Sequence, residues 1–416
     1  MKKANIQSDI NNENLLNNIL RSIELYFYSV NKYFKYCFYI LLILSISIFL
    51  IHNKYRNTIE LNPFKKYVRD CQKSKFYNLT KVYNKTPYVA ICISALNMEN
   101  YIKKNLLSII NQSFQDFEII IVDDKSTDET ANIIKDLQLD DERIKIITHE
   151  KNLGVYHSRI ESILNSKSKY ILLMDPDDMY MNENLLKELY NHNINNNFDI
   201  IEFIVFHQKE GHSKIFYPNN NFERHYHNFS KDIIYQPELS DILYYLPETK
   251  NYSHTICRNV WNKLIRKDIF IKTYEYIGDE YYNDFVITAD DMLMNIMLYQ
   301  FANNYTNYFL PGYLYIIRKV SMSRGNGGIK LEQTRTVNHL LYFKIFYKYI
   351  KEYNKDRNIL FYEMKDLHRF IINSKEYNST ELIISEINLI ETILNDKSIS
   401  LEFKVYLYNL LLYLKN

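Results

Sequence analysis

Glycine is scarce in this sequence, which has only 7 glycines in 416 residues. That scarcity excludes collagen-like repeats, Gly/Ser-rich low-complexity segments and Gly-rich loops that wrap phosphates. The 4 cysteines are too few for a disulfide scaffold and show no paired metal-binding spacing. Charge of either sign is not in excess, because 51 Lys and Arg face 49 Asp and Glu and leave a net charge of +2. Since no strongly basic stretch is present, we expect no nucleic-acid partner.

The composition is that of a folded chain. Apolar residues make up 47% and charged residues 24% of the sequence, which is typical of globular proteins and not of disordered ones. The length exceeds that of one average domain and is sufficient for a substantial core.

An uncharged apolar run covers residues 37–51 and has positive charges on both sides. The run is short for a bilayer span of about 20 residues, but aromatic residues just before it can extend it as an interfacial belt. We predict an uncleaved, single-pass membrane anchor; a buried core helix or the apolar region of a cleaved signal peptide are the alternatives. Residues 1–36 are then an N-terminal tail and residues 52–86 a polar stem.

The flanking charges leave the orientation of this anchor undecided. Asn-x-Ser/Thr sequons suit a lumenal catalytic domain in the Golgi or ER if the chain is eukaryotic. The sequons begin at Asn78, Asn84, Asn111, Asn228, Asn251, Asn304 and Asn378.

Short apolar runs rich in β-branched residues follow the stem and alternate with helical patterns. Such runs are typical of strands that are covered on both faces, as in a parallel sheet. The alternation predicts a doubly wound α/β domain that binds its ligand at the carboxyl ends of the strands. The four predicted strands cover residues 88–94, 117–123, 143–148 and 170–175.

Helix signals support the same organisation. We expect Asn97 to be the N-cap of the first helix, and Ser126 with Glu129 to form a capping box for the second. The apolar residues of 331–416 recur with a period near 3.6, which predicts a helical C-terminal region.

Acidic residues follow two of the predicted strands at the point where each ends. Asp123 and Asp124 close the second strand, and Asp175, Asp177 and Asp178 close the fourth. Such residues can simply cap a helix or shape a turn. Crowded at one edge of a sheet, however, they repel one another unless a cation lies among them. Oxygen ligands alone favour Mg²⁺ or Mn²⁺, bridging to the phosphates of a nucleotide.

The order and spacing of these segments resemble the nucleotide-binding half of a family 2 glycosyltransferase with the GT-A fold. The resemblance implies an α/β, Rossmann-like nucleotide-diphospho-sugar transferase domain between the N-terminal transmembrane anchor and the helical C-terminal region. Residues 87–195 are then its nucleotide-sugar-binding half and residues 196–330 its acceptor half. The matching segments are Asn111-Gln-Ser-Phe114, Asp116-Phe-Glu-Ile-Ile-Ile-Val-Asp-Asp-Lys-Ser-Thr-Asp128, Asn152-Leu-Gly154 with Arg159, and Tyr170-Ile-Leu-Leu-Met-Asp-Pro-Asp-Asp178.

The resemblance also implies roles for individual residues. Asp175 and Asp177, with Asp178 beside them, hold a divalent metal, Mn²⁺ or Mg²⁺. Asp124 contacts the nucleotide base, and Arg318 belongs to a basic strand-end motif that closes over the diphosphate. The donor-binding set implied in this way is Ser94, Asn97, Asp123, Asp124, Arg159 and Arg318.

Two segments of the acceptor half resemble the same family. Trp261 and Lys263 match a Trp-x-Lys-Leu segment, for which the alternative is a packed aromatic beside a solvated lysine. Asp290 and Asp291 match an acidic pair at the start of a helix, with Asp290 in place of the usual Glu. The resemblance makes Asp291 the catalytic base; helix capping is the alternative.

The function implied is a metal-dependent, inverting glycosyltransferase that moves a hexosyl or N-acetylhexosaminyl group. A nucleotide-sugar donor, with a UDP-sugar favoured, and a glycan or protein acceptor are expected. The Gln-x-x-Arg-Trp motif of processive synthases is absent, so the enzyme is expected to be non-processive. A catalytically silent GT-A domain with a binding or scaffold role and a lipid-phosphate sugar transferase are the alternatives.

Overall fold

The computed structural model describes the segments 62–73, 75–76, 79–81, 84–216, 233–235, 245–246, 251–252, 259–318, 328–353, 355, 380–397 and 399–415. The predicted anchor at 37–51 lies outside these segments. Within them, no helix combines the length and the apolar character that crossing a bilayer requires.

The strands confirm the predicted α/β pattern, with boundaries that differ by one residue at most from those expected for the first four. They are β1 (Val89–Ala95), β2 (Phe117–Asp123), β3 (Ile144–Thr148), β4 (Tyr170–Met174), β5 (Met179–Tyr180), β6 (Ile200–Lys209), β7 (Ile215–Phe216), β8 (Ile233–Tyr235), β9 (Tyr245–Leu246), β10 (Asn251–Tyr252), β11 (Lys263–Arg266) and β12 (Asn304–Ile317).

Helices separate the first strands and dominate the C-terminal part of the described chain. They are α1 (Asn62–Gln72), α2 (Ile102–Ile110), α3 (Thr130–Asp140), α4 (Val155–Asn165), α5 (Leu185–Asn193), α6 (Lys267–Ile277), α7 (Asp279–Asn283), α8 (Asp290–Phe301), α9 (Gly328–Glu352), α10 (Thr380–Leu394) and α11 (Leu401–Lys415).

One mixed sheet runs through both predicted halves in the order β3-β2-β1-β4-β11-β6-β12-β5. The strands β3, β2, β1 and β4 pair in parallel, as predicted. Strand β11 is antiparallel to both β4 and β6 and therefore connects the four parallel strands to the rest of the sheet. The carboxyl ends of the parallel strands meet at one edge, where the acidic residues follow β2 and β4.

Two hydrophobic clusters cover the two faces of this sheet. In β1, Ala90 and Cys92 belong to one cluster, while Ile91 and Ile93 belong to the other. Because successive strand residues point to opposite faces, a strand covered on both sides reads as a continuous apolar run. Helices α4, α6, α8, α9, α10 and α11 contribute to the first cluster, and α2, α3 and α5 to the second.

The two predicted helix caps are wrong. Helix α2 begins at Ile102, and Asn97 lies before it in a left-handed conformation with φ of 54°. Its Oδ1 accepts a hydrogen bond from the Thr127 amide at 2.8 Å, and its own amide donates to Ser126 Oγ at 2.9 Å. These side chains therefore tie the loops after β1 and β2 together, a long-range use that leaves neither available as a cap.

Gly154 fixes the start of α4. It has φ of 94°, and a Cβ atom at this position would lie 2.7 Å from the carbonyl oxygen of Val286. The close approach joins α4 to the loop before α8. Asn338 of α9 holds the same loop, since its Oδ1 accepts from the Ile287 amide at 3.0 Å and its Nδ2 donates to the Phe285 carbonyl at 3.1 Å.

The substitution Gly154→Ala should destabilise the protein more than Gly211→Ala. Both glycines have positive φ, which an alanine adopts at a cost of about 1–3 kcal/mol, but a Cβ at Gly211 meets nothing within 4 Å. The collision with Val286 adds to the cost only at Gly154. Urea unfolding gives the free energy of unfolding of both variants. An equal loss of stability in the two would show that the approach of Val286 does not constrain the fold.

Candidate active site

The acidic turn, residues 175–178, directly follows β4 and is held by two buried side chains. Asn105 of α2 donates through Nδ2 to the carbonyls of Asp175 and Asp178, at 2.9 and 2.8 Å. The hydroxyl of Tyr313 accepts from the Asp175 amide at 3.1 Å and donates to Asp178 Oδ2 at 2.8 Å. The other oxygen of Asp178 accepts from the Ile316 amide at 2.7 Å. The side chain of Asp178 therefore fastens the turn to β12.

A single guanidinium joins this turn to the acceptor side. Arg159 of α4 donates through Nη2 to Asp175 Oδ1 at 2.7 Å and through Nη1 to one oxygen each of Asp290 and Asp291. We call these four residues the Arg159 cluster. Arg159 and Asp290 are buried, whereas the side chains of Asp175 and Asp291 remain 27% and 26% exposed. The cluster therefore presents one carboxylate of each half toward solvent.

A residue with a strained backbone conformation, Ala289, directly precedes Asp290 and Asp291. Ala289, just before α8, has φ of 66°, a left-handed conformation that is uncommon for any residue other than glycine, Asn or Asp. Asp290 and Asp291 then form the first turn of α8, and no side chain caps this helix. The alternative of a simple N-cap is therefore wrong, because the N-cap position belongs to Ala289 and both carboxylates turn to Arg159.

Carboxylate crowding shifts the acidity of this site. Burial raises the pKa of Asp291 to about 7, and Arg159 opposes that rise while Asp290 and Asp175 add to it. Burial and the neighbouring Asp175 likewise raise the pKa of Asp177 to about 6, against the effect of Arg318. Burial, with the neighbouring carboxylates as a second cause, thus favours the protonated form of both side chains.

Arg318 lies at the end of β12 and covers the acidic turn. Its Nε is 2.5 Å from Asp177 Oδ2, and its guanidinium carbon lies 5.1 Å from the centre of the Tyr101 ring. A cation held over an aromatic face and beside a carboxylate is suited to an anionic ligand.

Asp124, the residue predicted to contact the nucleotide base, makes its hydrogen bonds in this structure with other parts of the protein. Asp124 accepts from the amides of Leu153 and Gly154 at 2.7 and 2.9 Å, and its Oδ1 lies 2.7 Å from His149 Nδ1. Asp124 thereby anchors the segment between β3 and α4, and its contact with a nucleotide base stays a prediction. Asp123 is also buried, and its Oδ1 accepts from the Ser126 amide at 3.3 Å.

The remaining sequence candidates lie on the sheet or, like Trp261, just before one of its strands. Ser94 is half-buried at the penultimate position of β1, paired with Val122. Trp261 stacks on Tyr313 with ring centres 4.3 Å apart and so supports the tyrosine that holds the acidic turn. Lys263 is not solvated: it is completely buried, with Nζ 3.4 Å from Glu202 Oε2. The alternative of a solvated lysine is therefore wrong.

The donor set of the site fits a hard divalent cation. Asp175, Asp177, Asp178, Asp290 and Asp291 bring five carboxylates together, and only Arg159 and Arg318 neutralise them among the described residues. The ligands are all oxygens, which is the donor type that Mg²⁺ and Mn²⁺ prefer.

Comparison with known proteins identifies the family that the chain resembles. Residues 90–273 match the model of the family "Glycosyl transferase family 2". This part of the chain is therefore similar to family 2 glycosyltransferase domains. It contains the acidic turn, Arg159 and the Trp261 segment, whereas Asp290, Asp291 and Arg318 lie beyond the matched residues.

Relatives of the glycosyltransferase domain occur among bacterial proteins. The chain is 28% identical over 244 residues to glycosyltransferase GlyA of Streptococcus pneumoniae, covering 57% of this chain and 31% of GlyA. It is 39% identical over 93 residues to an uncharacterized glycosyltransferase of Haemophilus influenzae, covering 22% of this chain and 29% of that protein. The chain thus spans less than half the length of these relatives.

The fold is shared with a solved structure. Staphylococcus aureus TarS 1–349, crystallised in complex with UDP, superposes with a TM-score of 0.51 at 16% identity, covering 78% of this chain and 86% of TarS 1–349. At this identity the likeness establishes the fold, and it confirms the predicted α/β, GT-A-like architecture.

Sequence reasoning missed Asn105 and Tyr313, the two side chains that hold the acidic turn of the glycosyltransferase domain. Asn105 left no clear local signal, because its helix also carries the polar residues Lys103, Lys104 and Ser108. Tyr313 left none, since its partner Asp178 lies 135 residues away in the sequence.

The substitution Tyr313→Phe should lower the free energy of unfolding by about 1–3 kcal/mol, because it leaves Asp178 Oδ2 buried without its donor. The ring that stacks on Trp261 is kept. Tyr180→Phe is the matched control, since the Tyr180 hydroxyl is buried with no hydrogen-bond partner among the described residues. Urea unfolding compares the two; an equal effect would show that the bond to Asp178 contributes nothing.

Proposed function

We propose that the protein is a metal-dependent, inverting and non-processive glycosyltransferase. It moves a hexosyl or N-acetylhexosaminyl group from a nucleotide-diphosphate donor to a hydroxyl of a glycan or protein acceptor. The family 2 domain supports the transferase class, and the absence of a Gln-x-x-Arg-Trp motif supports non-processive action.

The observation that carries the proposal is the Arg159 cluster. One guanidinium contacts Asp175 after β4 and also Asp291 at the start of α8, although these carboxylates are 116 positions apart in the sequence. A single arginine head group therefore spans the distance between these two carboxylates. A metal-binding carboxylate and a candidate base at this spacing suit a reaction in which a sugar is passed between a diphosphate and a hydroxyl.

Asp175 and Asp177 are the residues that would hold Mn²⁺ or Mg²⁺, because both are partly exposed while Asp178 is used by the fold. The bound ion supplies charge neutralisation for a leaving nucleotide diphosphate. Arg318 pairs with Asp177 and lies over the Tyr101 ring. Its guanidinium adds a second positive charge for the same phosphates.

A UDP-sugar is the favoured donor. TarS 1–349, which shares the fold, was crystallised with UDP. The loops that follow β1 and β2, tied by Asn97 and Thr127, lie at the edge of the sheet where an open α/β fold binds nucleotides.

Asp291 is the candidate base. In the proposed reaction its carboxylate accepts the proton of the acceptor hydroxyl while that oxygen attacks the anomeric carbon, and the bond to the diphosphate breaks on the opposite side. Arg159 holds one oxygen of Asp291 and orients it. A pKa raised to about 7 makes this carboxylate a stronger base than an exposed Asp.

The substitution Asp291→Asn should lower turnover by about 10²–10⁴-fold, because an amide cannot accept the proton. Asn keeps an oxygen for Arg159, so UDP affinity and thermal stability should stay near those of the wild type. Hydrolysis of a panel of UDP-sugars with Mn²⁺ or Mg²⁺, water serving as acceptor, measures the rate. Near wild-type turnover would remove Asp291 from the role of base.

The substitution Asp177→Ala should act differently. It removes a proposed metal ligand, so turnover and the Mn²⁺ dependence of UDP binding should both be lost while the protein remains folded. Calorimetric titration with UDP, with and without Mn²⁺, separates the two variants. If Asp177→Ala binds UDP with unchanged Mn²⁺ dependence, the metal assignment is wrong.

Membrane attachment is proposed from residues 37–51 alone, with a lumenal catalytic domain if the chain is eukaryotic. A variant that lacks residues 1–52 should move from the membrane fraction to the soluble fraction and keep its UDP-sugar hydrolysis, because the α/β pattern begins only near Tyr88. A shortened protein that stays with the membrane would assign the attachment to another segment.

A further inference from the structure

A second group of potential metal ligands lies beside the donor side of the sheet. His149 directly follows β3, and His157 and Glu161 lie four residues apart on α4, so both face the same side of that helix. One ligand atom from each of the three lies within 4.8 Å of the others. We call these residues the His cluster; within the segments that the structure describes, no other three His, Cys, Asp or Glu side chains bring their ligand atoms this close together.

Each imidazole of the His cluster is oriented by an oxygen acceptor. His149 Nδ1 lies 2.7 Å from Asp124 Oδ1, and His157 Nδ1 lies 3.2 Å from the Tyr282 carbonyl oxygen. A neutral imidazole that donates through Nδ1 carries its lone pair on Nε2, the atom that binds a metal. Carboxylate or carbonyl oxygens behind the ring are the usual outer partners of metal-bound histidines.

Packing fixes the same rings. The His157 ring stacks on the Tyr282 ring at 4.1 Å with an angle of 20°, and it meets the His149 ring edge-to-face at 5.5 Å. His149 Nε2 lies 2.5 Å from Glu161 Oε2. Since the side chains of His149 and Glu161 are 7% and 27% exposed, the cluster is largely buried but reachable by a small ion.

We propose that His149, His157 and Glu161 bind a divalent transition-metal ion, with Zn²⁺ the best match. Two imidazoles and one carboxylate are a frequent zinc ligand set and leave a fourth position for water. The acidic turn offers only oxygens and suits Mg²⁺ or Mn²⁺, so the two sites differ in the metals that they select.

The metal proposed for the His cluster would act on the fold and not at the reacting atoms. It takes the place of the proton between His149 Nε2 and Glu161 Oε2 and joins the end of β3 to α4. Asp124, the outer partner of His149, also accepts from the amides of Leu153 and Gly154. Zinc binding therefore stabilises the segment that leads into the helix carrying Arg159, without entering the chemistry of sugar transfer.

The test uses the full-length chain in detergent, stripped with a chelator and titrated with Zn²⁺. His157→Phe removes one ligand but keeps an aromatic ring on Tyr282. His192→Phe is its matched control, because His192 is also half-buried and stacks on a tyrosine, Tyr308, at 4.2 Å outside the cluster. Zinc content after dialysis, Zn²⁺ affinity and the zinc-dependent rise in Tm are measured for each.

Wild type and His192→Phe should retain zinc and gain thermal stability from it. His157→Phe should bind one zinc fewer per chain, with an affinity at this site lowered by more than about 100-fold, beyond the effect of losing an outer partner. Glu161→Gln should repeat that loss if His157→Phe fails to fold. The proposal would be overturned if the wild-type chain retained no zinc. It would also be overturned if His157→Phe and Glu161→Gln retained as much zinc as the wild type.

The same measurement on Asp177→Ala keeps the two metal sites apart. Because Asp177 lies in the acidic turn, this variant should retain zinc even when its Mn²⁺-dependent UDP binding is lost. Loss of zinc in Asp177→Ala but not in His157→Phe would assign the zinc to the acidic turn and contradict the proposal.

Discussion

The arrangement of the site depends on one buried guanidinium. Arg159 binds carboxylates from the end of β4 and from the start of α8, and it is the only described cation in contact with Asp175, Asp290 and Asp291. A buried carboxylate without a partner costs several kcal/mol, so Arg159 is needed to compensate Asp290, the buried carboxylate at the start of α8. The end of β4 and the start of α8 are thus held together by charge compensation.

The position of that guanidinium is itself determined by backbone packing. Gly154 allows α4 to start against the Val286 carbonyl, and Asn338 of α9 holds the adjoining loop. The C-terminal helices, which carry no proposed catalytic residue, therefore contribute to the site through the loop that precedes Asp290.

The two proposed metal sites, the acidic turn and the His cluster, lie on opposite sides of α4. Arg159 faces the oxygen-only acidic turn, whereas His157 and Glu161 face the end of β3. Asp124 links them, because it accepts from the Gly154 amide and lies against His149. The proposed sugar transfer needs only the first site, and the proposed zinc would stabilise the helix on which that site depends.

The sequence by itself determined the strands, the alternation with helices, and the edge of the sheet where the acidic residues gather, because apolar periodicity and strand ends are local properties. It could not assign partners. Asn97 and Ser126 have the residue types of helix caps, yet they bond to each other's loops; Lys263 looks solvated, yet it is buried against Glu202. Only the tertiary structure decided these roles, because a side chain's partner depends on which distant segment the packed sheet brings within hydrogen-bonding range.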